Sequence, residues 1–262
     1  MEKIRRPIKR VIRMLGFTPR LYADLVSSFL DLGYEVKGYS DALSDQKHLI
    51  LRHDIDMSLQ YAAVIADIES HLNVYGTYFV LVRSELYNPL SRDNLKIIRE
   101  LVRNGHEVGL HLDAALYGNS IDELSDAVEL ECSILESMTG KAVRVVSFHR
   151  PAKVLLGWDG ALAGREHTYS PKFFNNMGYC SDSRGQWYYG HPLDHTAIQR
   201  GQALQLLTHP IWWCGFEGEL PVEKIDRFVF NSADRFRSEL AQQCTIYRKE
   251  IMRHLVSDSN QA

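Results

Sequence analysis

Short apolar runs rich in β-branched residues recur along this chain, separated by stretches whose apolar positions repeat with the period of a helix. The runs are HLILRHDID (48–56), VYGTYFVLV (74–82), EVGLHL (107–112), VRVVSF (143–148) and ALQLLTH (203–209), with YCSDS (179–183) a weaker sixth. Short, nearly continuous apolar runs are the pattern of strands buried on both faces. Between the first four lie Tyr61–Leu72, then Asn94, Leu95, Ile97, Ile98, Leu101 and Val102 stopped at Gly105, then Ile121–Met138. Ser120 with Glu123 three residues on makes a capping box for the third of these helices. A last helix is predicted from Val222, behind Pro221, to Leu255. Strand–helix alternation at this spacing predicts an α/β fold around a mainly parallel sheet. Residues 150–203 show no clean period and are rich in Gly, Pro, Trp and Tyr, as functional loops are.

At the N-terminus Ile4, Ile8, Val11, Ile12 and Leu15 fall at helical spacing among seven Lys or Arg in the first twenty residues. This predicts a basic helical segment over 1–30, packed on a single domain over 31–262. The sharper reading of the segment is peripheral contact with an anionic membrane surface. It has no uninterrupted apolar h-region and no small-residue cleavage site, so a secretory signal is not expected.

Composition narrows the function. Thirty Lys and Arg against 33 Asp and Glu, for a formal net charge of -3, disfavour a general nucleic-acid binder. With 45% hydrophobic and 24% charged residues the chain is an ordinary folded one. The four cysteines, at 132, 180, 214 and 244, show no CxxC pair. They support neither a thiolate zinc site nor a disulfide framework, and a cytoplasmic location is expected.

The unusual entrants are the 11 histidines. His53, Asp54 and Asp56 close the first run, His111 and Asp113 the third, His149 and Arg150 the fourth, and His209 the last. In a parallel α/β fold the C-terminal ends of strands face the active site. Asp54 and Asp56, two apart, share one face of a strand, and a cation between two carboxylates relieves their repulsion. The ordinary alternative makes Asp56 a helix N-cap and Asp54 half of a salt bridge. Imidazoles with carboxylate are the ligands of Zn²⁺ or another first-row metal in an open, catalytic site.

RHDID, GHEVGLH (105–111), SFHRP (147–151) and LLTHP (206–210) stand in this order at strand ends. The series resembles the motifs of polysaccharide deacetylases, the NodB-homology superfamily, and within it the HDVD-type branch associated with cell-surface polysaccharide biosynthesis. The resemblance covers residues 45–215. It implies a distorted (β/α) barrel, here with extra N- and C-terminal helices. It also implies a divalent metal, Zn first with Fe, Co or Ni as alternatives, and hydrolysis of an N-acetyl group from a nucleotide-, lipid- or polysaccharide-linked sugar. By that resemblance Asp54 is the general base and Asp56 a metal ligand, or the reverse. His111 matches the family's first metal histidine, and Ala115 stands where the second is usual. His149 is the candidate replacement, with Asp113 and His53 as further options. Arg150 resembles the arginine that pairs with the base, and His209 the histidine that acts as acid. SDSRGQW (181–187) resembles the Asp/Trp motif that buttresses the site, through Asp182 and Trp187; His106 is expected to be structural and Glu107 to support the ligands. Asp182, Arg184, Trp187 and Trp212 are candidates for binding the sugar, with Asn88 a further polar neighbour for its hydroxyls. Competing readings are hydrolysis of a non-sugar amide or O-acetyl ester, and a sugar-binding protein on a lapsed catalytic scaffold.

Overall fold

The computed structural model describes residues 16–118, 120–151, 153–188 and 190–248. Among the described residues the chain divides into two compact units, one up to Gly218 and one from Glu219. Ile4 to Leu15 lie outside the described residues. Among those described, no helix is long and apolar enough to cross a membrane.

The first unit runs α1 (Pro19–Asp31), β1 (Glu35–Val36), β2 (His48–Ile55), α2 (Leu59–His71), β3 (Thr77–Val80), α3 (Arg92–Arg103) and β4 (Glu107–Leu112). It continues α4 (Ile121–Thr139), β5 (Val145–Phe148), β6 (Glu166–His167), α5 (Pro171–Phe174), β7 (Gly178–Ser181), α6 (Thr196–Gln199), β8 (Leu204–Thr208) and α7 (Pro210–Trp213). Each of the six apolar runs is a strand. The two-residue strands β1 and β6 are too short to leave a periodic signal. The Ser120 hydroxyl accepts from the Glu123 amide at 3.2 Å and so caps α4, but it donates to the Glu123 carboxylate at 2.9 Å, where a capping box would have that carboxylate accept from the Ser120 backbone N–H. The second unit carries α8 (Pro221–Gln243). The single helix expected to Leu255 is interrupted at Cys244, whose backbone is extended (φ -119, ψ 107), and resumes over 245–248. Cys, Thr and Ile in succession are weak helix formers.

All eight strands pair in parallel, in the order β6-β5-β4-β3-β2-β8-β7, with β1 also on β2. β6 stands five places from β8, about 24 Å away in a flat sheet. Yet the Gln205 amide on β8 donates to the Thr168 carbonyl just past β6 at 3.3 Å. The sheet is therefore curled into a half-barrel whose edge strands, β6 and β7, are not bonded to each other.

Side chains of alternate parity fill the two faces. Inside, an apolar plug of Ile50, Phe79, Val145, Tyr39 and Phe173 closes the lower half. Gly109 on β4 makes room for it, because a Cβ there would meet the Phe79 ring at 2.5 Å. Above the plug come Arg52 and Gln205, then Asp54, His111 and Ser147, all buried. Outside, between sheet and helices, the wholly buried Glu69 of α2 accepts from Tyr22, from Tyr78 Oη at 2.8 Å and from His53 Nε2 at 2.8 Å. His106 Nδ1 stands 3.5 Å from the same carboxylate. Burial pushes the Glu69 carboxyl up, but His53 and these hydrogen bonds outweigh it and hold the group below its ordinary range.

Candidate active site

The two-residue period of β2 turns Arg52 and Asp54 inward, and Asp56 follows just past the strand end. On β4 and β5, His111 and Ser147 are register neighbours and so point the same way. His149 lies one residue beyond β5, its amide still donating to the Leu112 carbonyl at 2.9 Å. These three strand ends bring Asp56, His111 and His149 together, with one ligand atom of each within 4.8 Å of the others. Asp56 Oδ1 is 3.1 Å from both His111 Nε2 and His149 Nδ1. Burial pushes the Asp56 carboxyl up, and the two imidazole hydrogen bonds more than reverse this, holding it far below the ordinary carboxylate range. The hydrogen bond to Asp56 in turn raises His149.

One carboxylate and two imidazoles, crowded onto a single oxygen, are a donor set that suits a divalent first-row cation. The remaining ring nitrogen of His111 is taken by Ser147 Oγ at 2.6 Å, the kind of outer support that metal histidines have.

Asp54 sits a layer deeper. Arg52 grips it with both arms of its guanidinium, Nε to Oδ1 at 2.9 Å and Nη2 to Oδ2 at 2.8 Å. Both residues are buried, and the guanidinium is further held by Gln205 and lies over Phe79 and Tyr169. Burial opposes ionisation, yet the Arg52 charge, then His111, keep the Asp54 carboxyl below its ordinary value. Arg150, expected beside the base, does not reach it. It pairs instead with Asp113 through both carboxylate oxygens, and its side chain is 57% exposed. Arg150 stands past the end of β5 at the rim, whereas Asp54 lies inside the barrel. Arg52 was legible as a candidate, because it shares the parity of Asp54.

His209 follows β8. Its Nδ1 is 2.6 Å from Asp182 Oδ1, its amide donates to the same carboxylate at 3.0 Å, and its Nε2 stands 3.9 Å from Asp56 Oδ2. Burial disfavours the charged imidazole, but the Asp182 carboxylate overcomes this and raises the pKa to about 9. The Trp213 indole donates to Asp182 Oδ2 at 2.7 Å. Asp182 is thus a buttress, as its motif suggests, with the indole coming from Trp213 and not Trp187. As a sugar-binding group it is corrected: it is wholly buried, and both oxygens serve His209 and Trp213.

The other expected sugar contacts do not gather at the triad. Trp187 packs against Phe17, Trp213 and His191, at centroid distances of 5.4, 6.0 and 6.2 Å. Trp212 is buried, 7% exposed. Arg184 is exposed on a turn where its own φ is 58. The space beside the triad is instead a cleft of about 580 Å³ under the β3–α3 loop, lined among others by Asp56, His149, Asp113, Arg150, Arg83 and Tyr87. The Tyr87 hydroxyl donates to the Ile55 carbonyl at 2.8 Å and accepts from the Leu81 amide at 2.9 Å, pinning that loop over the end of β2. Sequence reasoning missed this loop, apart from Asn88, because its polar residues follow no motif.

Two secondary options are also placed. His53 faces away from the triad into the Glu69 network, its Nδ1 2.7 Å from Thr208 Oγ1, so it cannot be a ligand there. Glu107 opens β4, at the opposite end from His111, with Thr77 Oγ1 donating to it at 3.3 Å, and so does not support the ligands.

No family model matches the chain, and no curated protein matches it. Solved structures do. One is a carbohydrate esterase family 4 pseudoenzyme from Bacillus anthracis, 16% identical over 77% of this chain and 64% of that one, TM-score 0.38. Another is a family 4 acetyl xylan esterase from Clostridium thermocellum in complex with a cobalt ion, 17% identical over 71% and 84%, TM-score 0.38. A third is a Streptococcus pyogenes deacetylase in complex with acetate, 12% identical over 81% and 87%, TM-score 0.42. The chain spans less than two-thirds of the length of the pseudoenzyme it matches.

Proposed function

We propose that this protein is a metal-dependent hydrolase that removes an N-acetyl group from a sugar. The observation that carries the reading is the convergence of Asp56, His111 and His149 between a buried, ionised Asp54 and a buttressed His209. Asp56, His111 and His149 would hold the cation, zinc first, with iron, cobalt or nickel as alternatives. When bound, it supplies a Lewis acid that polarises the acetyl carbonyl and makes a water acidic enough to attack near neutral pH.

Asp54 accepts that water's proton through Oδ2, the oxygen 3.7 Å from His111 Nε2. Arg52 orients it and keeps it ionised until the proton arrives. As the C–N bond breaks, His209 donates the proton on Nε2 to the departing nitrogen, since an amine leaves poorly unless protonated. Asp182 takes Nδ1–H and so holds the imidazolium in place. Acetate and the free amino sugar result. The cleft under the β3–α3 loop receives the sugar, with Arg83, Asn88 and the Asp113–Arg150 pair facing its hydroxyls. A role in surface-polysaccharide biosynthesis, in the cytoplasm with the basic N-terminus on the membrane surface, belongs to the same proposal.

The test is acetate release from UDP-linked N-acetyl sugars and from simple acetyl esters, each with and without chelator. Chelator-sensitive release from the sugar supports the reading. Release from the esters alone shifts it to an O-acetyl esterase, and sugar binding without any release would mean a lapsed scaffold.

A further inference from the structure

Ser147 is the one polar residue of β5, whose other members are Val145, Val146 and Phe148, and it is wholly buried. A hydroxyl in such a place costs free energy unless its hydrogen bonds are made. Its Oγ lies 2.6 Å from His111 Nδ1 and 3.4 Å from Asp54 Oδ1, so one atom touches both the proposed ligand and the proposed base. The direction of these bonds follows from what each partner can do. An ionised carboxylate only accepts, so Ser147 gives its single proton to Asp54. The hydroxyl oxygen must then accept from His111, which places the imidazole proton on Nδ1. Nε2, 3.1 Å from Asp56 Oδ1, is then the nitrogen that a cation would take in place of a proton.

We propose that Ser147 is a positioning residue that fixes His111 in the metal-binding tautomer and ties that ligand to Asp54. This rests on the metal reading above. Through the chain His111 Nδ1–H to Ser147 Oγ–H to Asp54 Oδ1, the ring cannot swing, and the base keeps its second oxygen towards the site. Arg52 and Ser147 together satisfy Asp54 Oδ1, whereas Oδ2 accepts from Arg52 and lies 3.7 Å from His111 Nε2, on the side of the site.

The test measures Co²⁺ binding directly, by its visible absorption and by competition with a chelator, on the full chain and on Ser147→Ala and Ser147→Thr. Far-ultraviolet circular dichroism and a thermal melt are run on each as a fold check. The Ala variant is expected to bind Co²⁺ about 10–100-fold more weakly, with a shifted spectrum, and the Thr variant, which keeps the hydroxyl, to bind like the parent. At saturating metal, the Ala variant is expected to lose kcat with KM little changed. Parent-like Co²⁺ affinity and spectrum in a folded Ala variant overturn the role of Ser147 while leaving the metal site standing. Absence of Co²⁺ binding by the parent overturns the metal reading itself and this inference with it. Should Ala unfold, Ser147→Val, which has the shape of the Thr variant without its hydroxyl, decides: weakened Co²⁺ binding in Val beside parent-like binding in Thr upholds the role, and parent-like binding in both refutes it.

Discussion

Arg52 and Asp54, two residues apart on one strand, clasp each other inside the half-barrel with a two-armed ion pair at 2.9 and 2.8 Å. A charge pair this deep is costly to break one-sidedly, by about 3–5 kcal/mol, because the survivor stays buried without compensation. Arg52→Met is therefore expected to lower stability by that order in a denaturant titration and to abolish activity. Arg52→Lys should recover little, since an ammonium cannot reproduce the fork. The double variant Arg52→Met/Asp54→Asn is expected to regain much of the stability and none of the activity.

His209 must be protonated to act as the acid, and Asp182 holds its pKa at about 9. Activity is thus expected to persist to about pH 9 and fall above it. In Asp182→Asn the alkaline limb should move down towards the ordinary histidine value of 6.5. The same shift affects folding. A raised pKa stabilises the folded chain fully below about 6.5, and that contribution is lost as pH rises through about 9. Rate–pH profiles and urea midpoints at pH 6 and 10 check both signs.

His149 Nδ1 lies 3.1 Å from the Asp56 oxygen that His111 Nε2 also approaches at 3.1 Å. His149→Ala is expected to weaken metal binding by at least tenfold in a chelator competition, while the fold is retained. Arg150→Ala, at the rim of the cleft, should instead raise KM for the sugar and leave metal affinity unchanged.

How far the site was legible depends on which rule placed each residue. Strand ends could be read because buried parallel strands are continuous apolar runs, and that alone located Asp56, His111, His149 and His209. Parity on β2 separates Arg52, Asp54 and Asp56 from His53, and it distinguishes the true partner of Asp54 from Arg150. What could not be read is distance across the interior. Only the curl of the sheet brings Gln205 to Thr168, and only the pairing of β7 with β8 sets Asp182 beside His209. The cleft loop escaped as well, because Tyr87 holds it through backbone groups that leave no pattern.

The Glu69 network on the outer face offers a control for these predictions. Its carboxyl is held below the ordinary value, so its stabilisation is present above about pH 4.5 and is lost as pH falls through the folded-state pKa. Glu69→Ala leaves His53, Tyr22 and Tyr78 without their acceptor and is expected to cost about 3–5 kcal/mol. The activity per folded molecule should stay that of the parent, because none of these side chains faces the triad.

Anomalous scattering from crystals of the metal-loaded protein locates the cation proposed among Asp56, His111 and His149. A peak is expected about 2.0–2.2 Å from Asp56 and from the Nε2 of His111 and Nδ1 of His149, with Asp54 outside coordination distance. A peak coordinated by Asp54 in place of Asp56, or one remote from all three residues, would contradict that placement.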